Sequence, residues 1–388
     1  MNKTYYKMKK TIFYSAAALL LLALSSCAEK KNVITGHFDG LPTDSLKVEV
    51  VDVLNARTPL STTVIPAVNG DFTIPFTDTT VRGIIIYCPD DERGREHGVA
   101  SLTFVPGEYA VLSGRLDSVV VDGSQFFKDQ KAYTELIKPD QERMSEIVKE
   151  YRAAGDDEAK SDSIMNVYNE VSAHVSALTK DFIKNNPASL YGATLVSRLI
   201  GEDGKDALEA LAIIPETVQN GYLKPLIDRT RTSAQKTKAR SEAAEKVKDG
   251  MQAPDFTLKN EKGEDFTLSS IYNQGKYIIL DFWGEWCYWC KKGIPDMKQL
   301  YKDAKGKIEI LSIDCNDTEE VWKNAIKEHE LPWLHVYNPG DETTDVAVNY
   351  AIQGYPTKII LNPDGTINKT IVGEDPEFYT YVKSLIKK

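Results

Sequence analysis

The feature that most limits how this chain can fold is an apolar run that ends shortly before two cysteines. Residues 276–283 read Lys-Tyr-Ile-Ile-Leu-Asp-Phe-Trp, a nearly continuous apolar segment typical of a strand buried on both faces. Cys287 and Cys290 follow, separated by two residues. Four apolar residues then recur on one helical face: Ile294, Met297, Leu300 and Tyr301. The pattern predicts an α/β unit in which the cysteines lie where a buried strand passes into a helix.

That position gives the two cysteines different chemistry. Unpaired backbone N–H groups and the dipole at a helix N-terminus favour an anion, so we expect the pKa of Cys287 to lie below its ordinary value of about 8.5. Cys287 is the predicted exposed nucleophile, and Cys290, one turn inside the helix, is the predicted resolving thiol. A lone Cys-x-x-Cys can also be half of a zinc site, but the sequence has no second such pair and no histidine pair with ligand spacing. We therefore expect a redox-active disulfide without a metal or other cofactor.

Several separate motifs in the last third of the chain resemble the thioredoxin superfamily. Residues 281–291, Asp-Phe-Trp-Gly-Glu-Trp-Cys-Tyr-Trp-Cys-Lys, are similar to its active-site segment, and Pro295 stands where the family has a helix-kinking proline. Residues 354–357, Gly-Tyr-Pro-Thr, resemble its cis-proline loop. The lead-in Ala-Pro-Asp-Phe-Thr-Leu from residue 253, with Phe-Thr-Leu from residue 266, resembles the membrane-tethered, extracytoplasmic branch. The resemblance implies a thioredoxin-like domain that catalyses thiol–disulfide exchange.

The resemblance also implies a proton relay. Asp281 lies six residues before Cys287, at the position of the family's buried carboxylate, which moves a proton to or from the resolving thiol. Burial in an apolar strand would raise the pKa of this carboxyl group, as the role requires. The alternative for Asp281 is a surface aspartate at the strand edge.

A substrate-binding loop is implied in the same way. Pro356 matches the cis-proline beside the disulfide, and the backbone around Tyr355, with Thr357 next to it, would pair with an extended substrate segment as an added strand. An ordinary trans turn proline is the alternative. Trp286 would shield the site and contact substrate, although simple core packing accounts for it equally well.

One departure from thioredoxin bears on the direction of electron flow. Tyr288 and Trp289 stand between the cysteines, where thioredoxin itself carries Gly-Pro. That pair tunes thiol acidity and redox potential, so the direction stays open. Asp281 and the thioredoxin-like flanks favour a reductant over an oxidant.

The N-terminus is typical of a targeting signal. Lys9 and Lys10 precede an apolar run over residues 12–24, which is shorter than the roughly 20 residues that a membrane-spanning helix needs. Leu-Ser-Ser-Cys at 24–27 resembles the bacterial lipobox, which implies a signal peptide over 1–26 and lipidation of Cys27. We therefore expect a lipid-anchored protein of the cell envelope that faces the periplasm. A plain secretory signal is the alternative.

The segments before the thioredoxin-like domain have no recognisable chemical motif. Residues 27–123 alternate apolar and polar positions between Gly, Pro and Asp turns, which predicts an antiparallel β domain, a sandwich, with a hairpin around residues 106–108. This part resembles an uncharacterised β-rich module of bacterial lipoproteins. Residues 124–249 predict a helical region and linker in which 230–248 is a solvated helix or linker, and residues 250–388 form the α/β domain.

Composition and the remaining residues limit the partners. The formal net charge of −10 argues against nucleic acid, which is bound through clustered Lys and Arg. The expected partners are proteins with disulfides or thiols, an unidentified membrane electron donor and the membrane itself; homodimerisation through the helical region is left open. The other candidate side chains are predicted to be buried thiols or surface and packing residues: Cys88, Cys315, His329 and His335.

Two other function classes remain. A peroxiredoxin-type peroxidase shares this fold and lead-in, but such enzymes place Thr or Ser three residues before the reactive cysteine, where this chain has Gly284. A non-enzymatic protein that binds envelope partners through its first 250 residues, with a subsidiary redox domain, is the second. Substitution of both Cys287 and Cys290 by Ser separates a scaffold from an oxidoreductase, because a scaffold would keep its phenotype and an oxidoreductase would lose it.

Overall fold

The computed structural model describes residues 31–91, 94–155, 157–340 and 345–387. The predicted signal peptide and Cys27 lie outside these residues. Within them, no helix is both long and apolar enough to cross a bilayer. Two compact units are present: the described residues up to Val196 with Ile213–Asp228, and Ser197–Ala212 with those from Arg229 onward.

Two four-stranded sheets make up the β-rich part of the first unit. Its strands are β1 (Val33–Phe38), β2 (Ser45–Asp52), β3 (Asn55–Pro66), β4 (Asp71–Pro75), β5 (Arg82–Tyr87), β6 (Ala100–Phe104), β7 (Tyr109–Arg115) and β8 (Ser118–Gly123). One sheet has the order β4-β1-β7-β8 and the other β3-β2-β5-β6. Alternate residues of β4 and β6 are buried, as expected for sheets with one packed face. The predicted β domain in two sheets is confirmed.

Two details of that prediction are wrong. The strands on either side of residues 106–108 do not form a hairpin, because β6 pairs with β5 in one sheet and β7 pairs with β8 in the other. The domain is also not wholly antiparallel, since β1 and β7 run parallel. The parallel pair arises because β1 lies between β4 and β7 in its sheet.

Helices follow the sheets, as predicted. They are α1 (Gln125–Ala154), α2 (Glu158–Asn185), α3 (Leu190–Leu195), α4 (Lys205–Ile213), α5 (Glu216–Gln219) and α6 (Lys224–Ala244). α1 and α2 pack together, and the buried Tyr133 hydroxyl lies 2.7 Å from Thr179 Oγ1. The charged segment from Thr230 is helical as far as Ala244, yet it is not simply solvated. Ala234 is fully buried, and Gly204 lies so close that a Cβ on it would come within 2.1 Å of the Ala234 carbonyl oxygen.

A mixed seven-stranded sheet forms the centre of the second unit. Its strands are β9 (Thr257–Asn260), β10 (Asp265–Thr267), β11 (Tyr277–Trp283), β12 (Ile308–Cys315), β13 (Leu334–Asn338), β14 (Thr357–Leu361) and β15 (Ile367–Val372). The helices are α7 (Tyr288–Asp303), α8 (Glu319–Glu328), α9 (Val346–Asn349) and α10 (Pro376–Leu385). The strand order is β10-β9-β13-β12-β11-β14-β15. The predicted α/β thioredoxin-like domain is confirmed.

β11 lies between the two apolar clusters of this unit, one on each face of the sheet. It runs parallel to β12 and antiparallel to β14. Leu280 and Phe282 belong to the apolar cluster on one face of the sheet, whereas Ile279 and Trp283 belong to the cluster on the other face, with Cys287 and Cys290. Burial on both faces explains why the sequence of β11 is continuously apolar.

We expect Leu280→Ala to lower the free energy of unfolding of the second unit by about 2–5 kcal/mol, because Leu280 is fully buried and its loss leaves a cavity. All five tryptophans lie between residues 283 and 333, so denaturant unfolding followed by tryptophan fluorescence reports on this unit alone. Val372→Ala, at a side chain that is 64% exposed, is the control and should change stability by less than about 0.5 kcal/mol. Equal losses in the two variants would contradict the assigned core.

Candidate active site

Cys287 and Cys290 form a disulfide at the start of α7. Cys287 is the N-cap residue of this helix, and its Sγ accepts a hydrogen bond from the backbone N–H of Cys290 at 3.1 Å. Pro295 lies inside α7. The strand-to-helix junction that the spacing predicted is therefore present, with the first sulfur among the unpaired N–H groups of the helix.

The exposure predicted for Cys287 is wrong. Its exposed fraction is 5%, and that of Cys290 is 7%. Both residues belong to the apolar cluster that includes Trp283 and Met297, so surface area does not distinguish the two sulfurs. The two sulfurs differ instead in position, because Cys287 is the N-cap residue and Cys290 lies in the first turn of the helix.

Hydrogen bonds hold the loop between β11 and α7 in place. The backbone N–H of Glu285 donates to Asp317 Oδ2 at 2.6 Å, and Trp286 Nε1 donates to the Cys315 carbonyl oxygen at 2.8 Å. Both acceptors lie at or just after the end of β12, the parallel neighbour of β11. The approach to Cys287 is therefore fixed by the end of the adjacent strand.

Glu285 has a second set of partners that the sequence did not reveal. Its carboxylate accepts a hydrogen bond from Lys291 Nζ at 3.0 Å and lies 2.9 Å from His329 Nε2. Partial burial opposes ionisation, but these two partners hold the pKa of Glu285 below its ordinary value. His329, predicted to be a surface or packing residue, instead connects the end of α8 to the active-site loop.

Asp281 is buried in the middle of β11. Ser312 Oγ donates to Asp281 Oδ2 at 2.9 Å, and Trp333 Nε1 donates to Ser312 Oγ at 2.8 Å. Burial raises the pKa of Asp281, although Lys358 nearby lowers it. A cavity of about 10 Å³, at the lower limit for one water molecule, is lined by Asp281 and Cys290 together. Asp281 and Cys290 therefore line the same small cavity, and the alternative of a surface aspartate is excluded.

The loop before β14 also borders this cavity. The Tyr355–Pro356 peptide bond is cis, and Pro356 also lines the cavity. Thr357 is buried and donates from Oγ1 to the Gly354 carbonyl oxygen at 2.7 Å. The rings of Tyr355 and Trp286 meet edge to face, with centroids 5.2 Å apart. The loop and the aromatic pair therefore lie close to the disulfide.

Three aromatic side chains beside the disulfide are exposed. The exposed fractions are 53% for Trp286, 69% for Tyr288 and 52% for Trp289, which excludes simple core packing for Trp286. Lys292 Nζ lies 4.6 Å from the centroid of the Trp289 ring. Exposed aromatics of this size are typical of protein contact surfaces, and we name these three residues the aromatic surface.

The other candidate side chains are buried. Cys315 ends β12, and burial raises the pKa of its thiol to about 12. Cys88 is also a buried free thiol. His335 is buried too, and burial lowers its pKa to about 4, in agreement with a packing role.

Two charged residues near Cys290 were not predicted from the sequence. Lys358 of β14 and Glu374, between β15 and α10, form an ion pair of 2.7 Å and both line the cavity. Lys358 could have been recognised, because a lysine in the strand Thr-Lys-Ile-Ile-Leu is unusual for a buried segment. Glu374 gave no such signal, since Gly-Glu-Asp-Pro is typical of a turn.

Comparison with known proteins agrees with this geometry. The model of the AhpC/TSA family matches residues 250–370. Thiol-disulfide oxidoreductase ResA of Bacillus cereus is 33% identical over 131 residues, which are 34% of this chain and 73% of that protein. ResA of Bacillus subtilis is 30% identical over 130 residues, 33% of this chain and 70% of that protein.

The chain belongs to the thioredoxin superfamily. Like the relatives it matches, it is a thiol–disulfide oxidoreductase. Among solved structures, the thioredoxin domain of a thiol-disulfide oxidoreductase from Bacteroides vulgatus is 30% identical and covers 36% of this chain and 99% of its own, with a TM-score of 0.33. These matches concern the C-terminal third of the oxidoreductase.

We expect Asp281→Asn to stabilise the oxidised oxidoreductase, most strongly at alkaline pH. Burial raises the pKa of Asp281 in the folded state, so the folded protein binds this proton more tightly than the unfolded chain, and wild-type stability falls as pH rises toward the folded pKa. Asparagine does not ionise and avoids this loss. Unfolding followed by tryptophan fluorescence across pH measures the effect. Asp303→Asn, at an exposed site on α7, is the control; a difference from wild type that is the same at every pH would contradict the raised pKa.

Proposed function

We propose that this oxidoreductase works outside the cytoplasm and mainly reduces disulfides of cell-envelope proteins through a Cys287/Cys290 dithiol–disulfide cycle. The observation that supports the proposal is a disulfide whose first sulfur caps a helix and whose second sulfur shares a cavity with a buried carboxyl group. The N-terminal sequence supports the location. Cys27 would carry the lipid anchor that keeps the catalytic domain near the membrane, on the periplasmic side.

Reduction would proceed in two exchanges. The Cys287 thiolate attacks one sulfur of a substrate disulfide, forms a mixed disulfide with it, and releases the other substrate sulfur as a thiolate. Cys290 then gives its proton to Asp281, and its thiolate attacks Cys287 Sγ. The bond from Cys287 to the substrate breaks, the second substrate sulfur leaves as a thiolate, and the Cys287–Cys290 disulfide forms. The substrate gains two electrons and the enzyme loses two, which a dithiol donor at the membrane would restore.

Substrate would bind across the surface around the disulfide. The backbone of Tyr355, next to the cis-proline Pro356 and Thr357, would pair with an extended segment of the substrate protein. Trp286 and the rest of the aromatic surface would cover apolar side chains on either side of the substrate cysteine. This arrangement would bring a substrate sulfur against Cys287 and leave Cys290 facing the cavity.

The AhpC/TSA match makes a peroxidase the second candidate. A peroxiredoxin-type site needs a hydroxyl three residues before the reactive cysteine, at Gly284. A Cβ at that position would lie 2.4 Å from Trp286 Nε1 and 2.8 Å from the Cys315 carbonyl oxygen, so the loop has no room for Thr or Ser. This crowding favours disulfide exchange over peroxide reduction.

We expect the soluble protein without its first 27 residues to catalyse dithiol-driven reduction of insulin. Cys287→Ser should reduce the rate to that of the uncatalysed reaction, because the attacking sulfur is absent. Cys88→Ser, at a buried thiol of the other unit, is the control and should keep wild-type turnover. A wild-type rate no faster than that of Cys287→Ser would reject the proposal, and faster consumption of hydrogen peroxide than of insulin would favour the peroxidase.

The physiological substrate can be captured with one variant. Cys290→Ser keeps the nucleophile but cannot resolve the mixed disulfide, so envelope proteins bound through Cys287 should accumulate as reducible conjugates. The double variant Cys287→Ser, Cys290→Ser is the control for conjugates that form through other thiols.

We expect Asp281→Asn to slow the resolving step on the order of 100-fold and to change formation of the mixed disulfide much less. The carboxyl group lines the cavity with Cys290, so its loss removes the proton acceptor of the second exchange. Rapid mixing of the reduced protein with an aromatic disulfide gives two successive releases of coloured thiol, one for each exchange. Equal slowing of both releases would argue against the proton-relay role.

A further inference from the structure

The cavity behind Cys290 is lined by a buried charge pair that the exchange chemistry described above does not use. Lys358 is 2% exposed at its side chain, and its Nζ donates to Glu374 Oε2 at 2.7 Å. Both side chains line the cavity that Asp281 and Cys290 share. A buried pair of this kind is costly to desolvate, so its presence beside the reacting sulfur calls for a reason other than stability.

Residues of α7 and α10 surround the Lys358–Glu374 ion pair. Tyr379 Oη of α10 donates to Glu374 Oε1 and lies 3.3 Å from the Gly293 carbonyl oxygen on α7. A Cβ on Gly293, three residues after Cys290, would come within 2.4 Å of Glu374 Oε2, so glycine lets the carboxylate approach α7 closely. Glu374 is thus held against the active-site helix by contacts from β14, α7 and α10.

Lys358 also faces Asp281 directly. The two residues are cross-strand partners on β14 and β11, so their side chains lie on the same face of the sheet. An ammonium group in this position would hold the Asp281 carboxylate ionised if Lys358 had no other partner. Because Glu374 already neutralises Lys358, ionisation of Asp281 adds a net negative charge to the cavity.

We propose that Glu374 is a positioning residue for the resolving step: it binds Lys358 and thereby leaves Asp281 free to take the proton of Cys290 near neutral pH. The inference rests on the proposed function, since it assumes that Cys290 resolves a mixed disulfide. Glu374 touches neither substrate nor the reacting sulfurs, and it acts through Lys358.

The other charges around the cavity are consistent with this role. Burial is the main cause of the raised pKa of Asp281, Lys358 lowers that pKa, and Glu374 raises it. The titratable groups that face Glu374 or its hydrogen-bond partners come from four elements: Lys358 of β14, Asp281 of β11, Cys290 and Asp296 of α7, and Tyr379 of α10. Burial and the hydrogen bond to Glu374 raise the pKa of Tyr379, so it stays a neutral donor.

The test is the pH dependence of the second thiol release in the rapid-mixing experiment. In Glu374→Gln the amide has the same shape and can still accept from Tyr379, but Lys358 loses its counterion and turns to Asp281. We expect the midpoint of the resolving step to move to lower pH by about one unit. The midpoint belongs to Asp281 and Cys290 as a pair, and the positive charge shifts both in the same direction.

A second variant separates charge from packing. Lys358→Met with Glu374→Gln removes both charges and fills the cavity with an unbranched apolar chain, so the midpoint should return to the wild-type value. Glu377→Gln, which breaks the exposed ion pair between Glu377 of α10 and Lys369, is the matched control and should not move the midpoint.

The outcomes distinguish this inference from the proposed function. An unchanged midpoint in Glu374→Gln, or a double variant that stays shifted, overturns the role of Glu374 while the exchange activity of Cys287 and Cys290 stands. If Cys290→Ser retains the second release of thiol, Cys290 is not the resolving residue and the proposed function itself fails.

Discussion

The catalytic unit depends on a strand that is packed on both faces and still carries a carboxyl group. Ile279, Leu280 and Phe282 of β11 are fully buried, so the strand cannot move without opening both cores. Asp281 lies between them, and an ionised carboxylate without partners there would cost several kcal/mol. The same strand leads within four residues to Cys287, the cap of α7. Hydrophobic packing therefore sets the distance between the carboxyl group and the disulfide.

This dependence explains which parts of the fold the sequence could predict. The junction of β11 and α7 is local: a two-faced strand and an amphipathic helix each have a readable period, and the cysteines lie between them. The partners of β7 are not all local. Residues 106–108 have the composition of a hairpin turn, but β6 pairs with β5, and β7 pairs with β8 and with β1, about 75 residues earlier in the chain. Turn chemistry indicates where the chain bends, whereas the partner of each strand depends on distant segments.

Within the site, too, local patterns could be predicted from the sequence, whereas contacts between distant segments could not. The thioredoxin-like pattern predicted Asp281 and the loop at Pro356, because their spacing from the cysteines is fixed by β11 and β14. Glu374 and His329 could not be predicted, since each acquires its partner only when separate elements pack together, α10 against α7 and α8 against the active-site loop. The burial of Cys287 has the same origin, because it depends on the apolar cluster around it rather than on its position at the helix start.

The disulfide lies between two environments that are built from different residues. On its outer side is the aromatic surface, where a substrate would meet Trp286 and Tyr288; on its inner side is a small cavity with Asp281 and the Lys358–Glu374 pair. Tyr288 and Trp289, between the cysteines, belong to the outer side, so in the proposed cycle they would affect docking and redox potential, and Asp281 would remain as the proton acceptor. In the proposed cycle, the charges behind Cys290 would affect the protonation of Cys290 and Asp281 without touching substrate. Recognition and proton transfer would therefore depend on different residues, although both would act on the same pair of sulfurs.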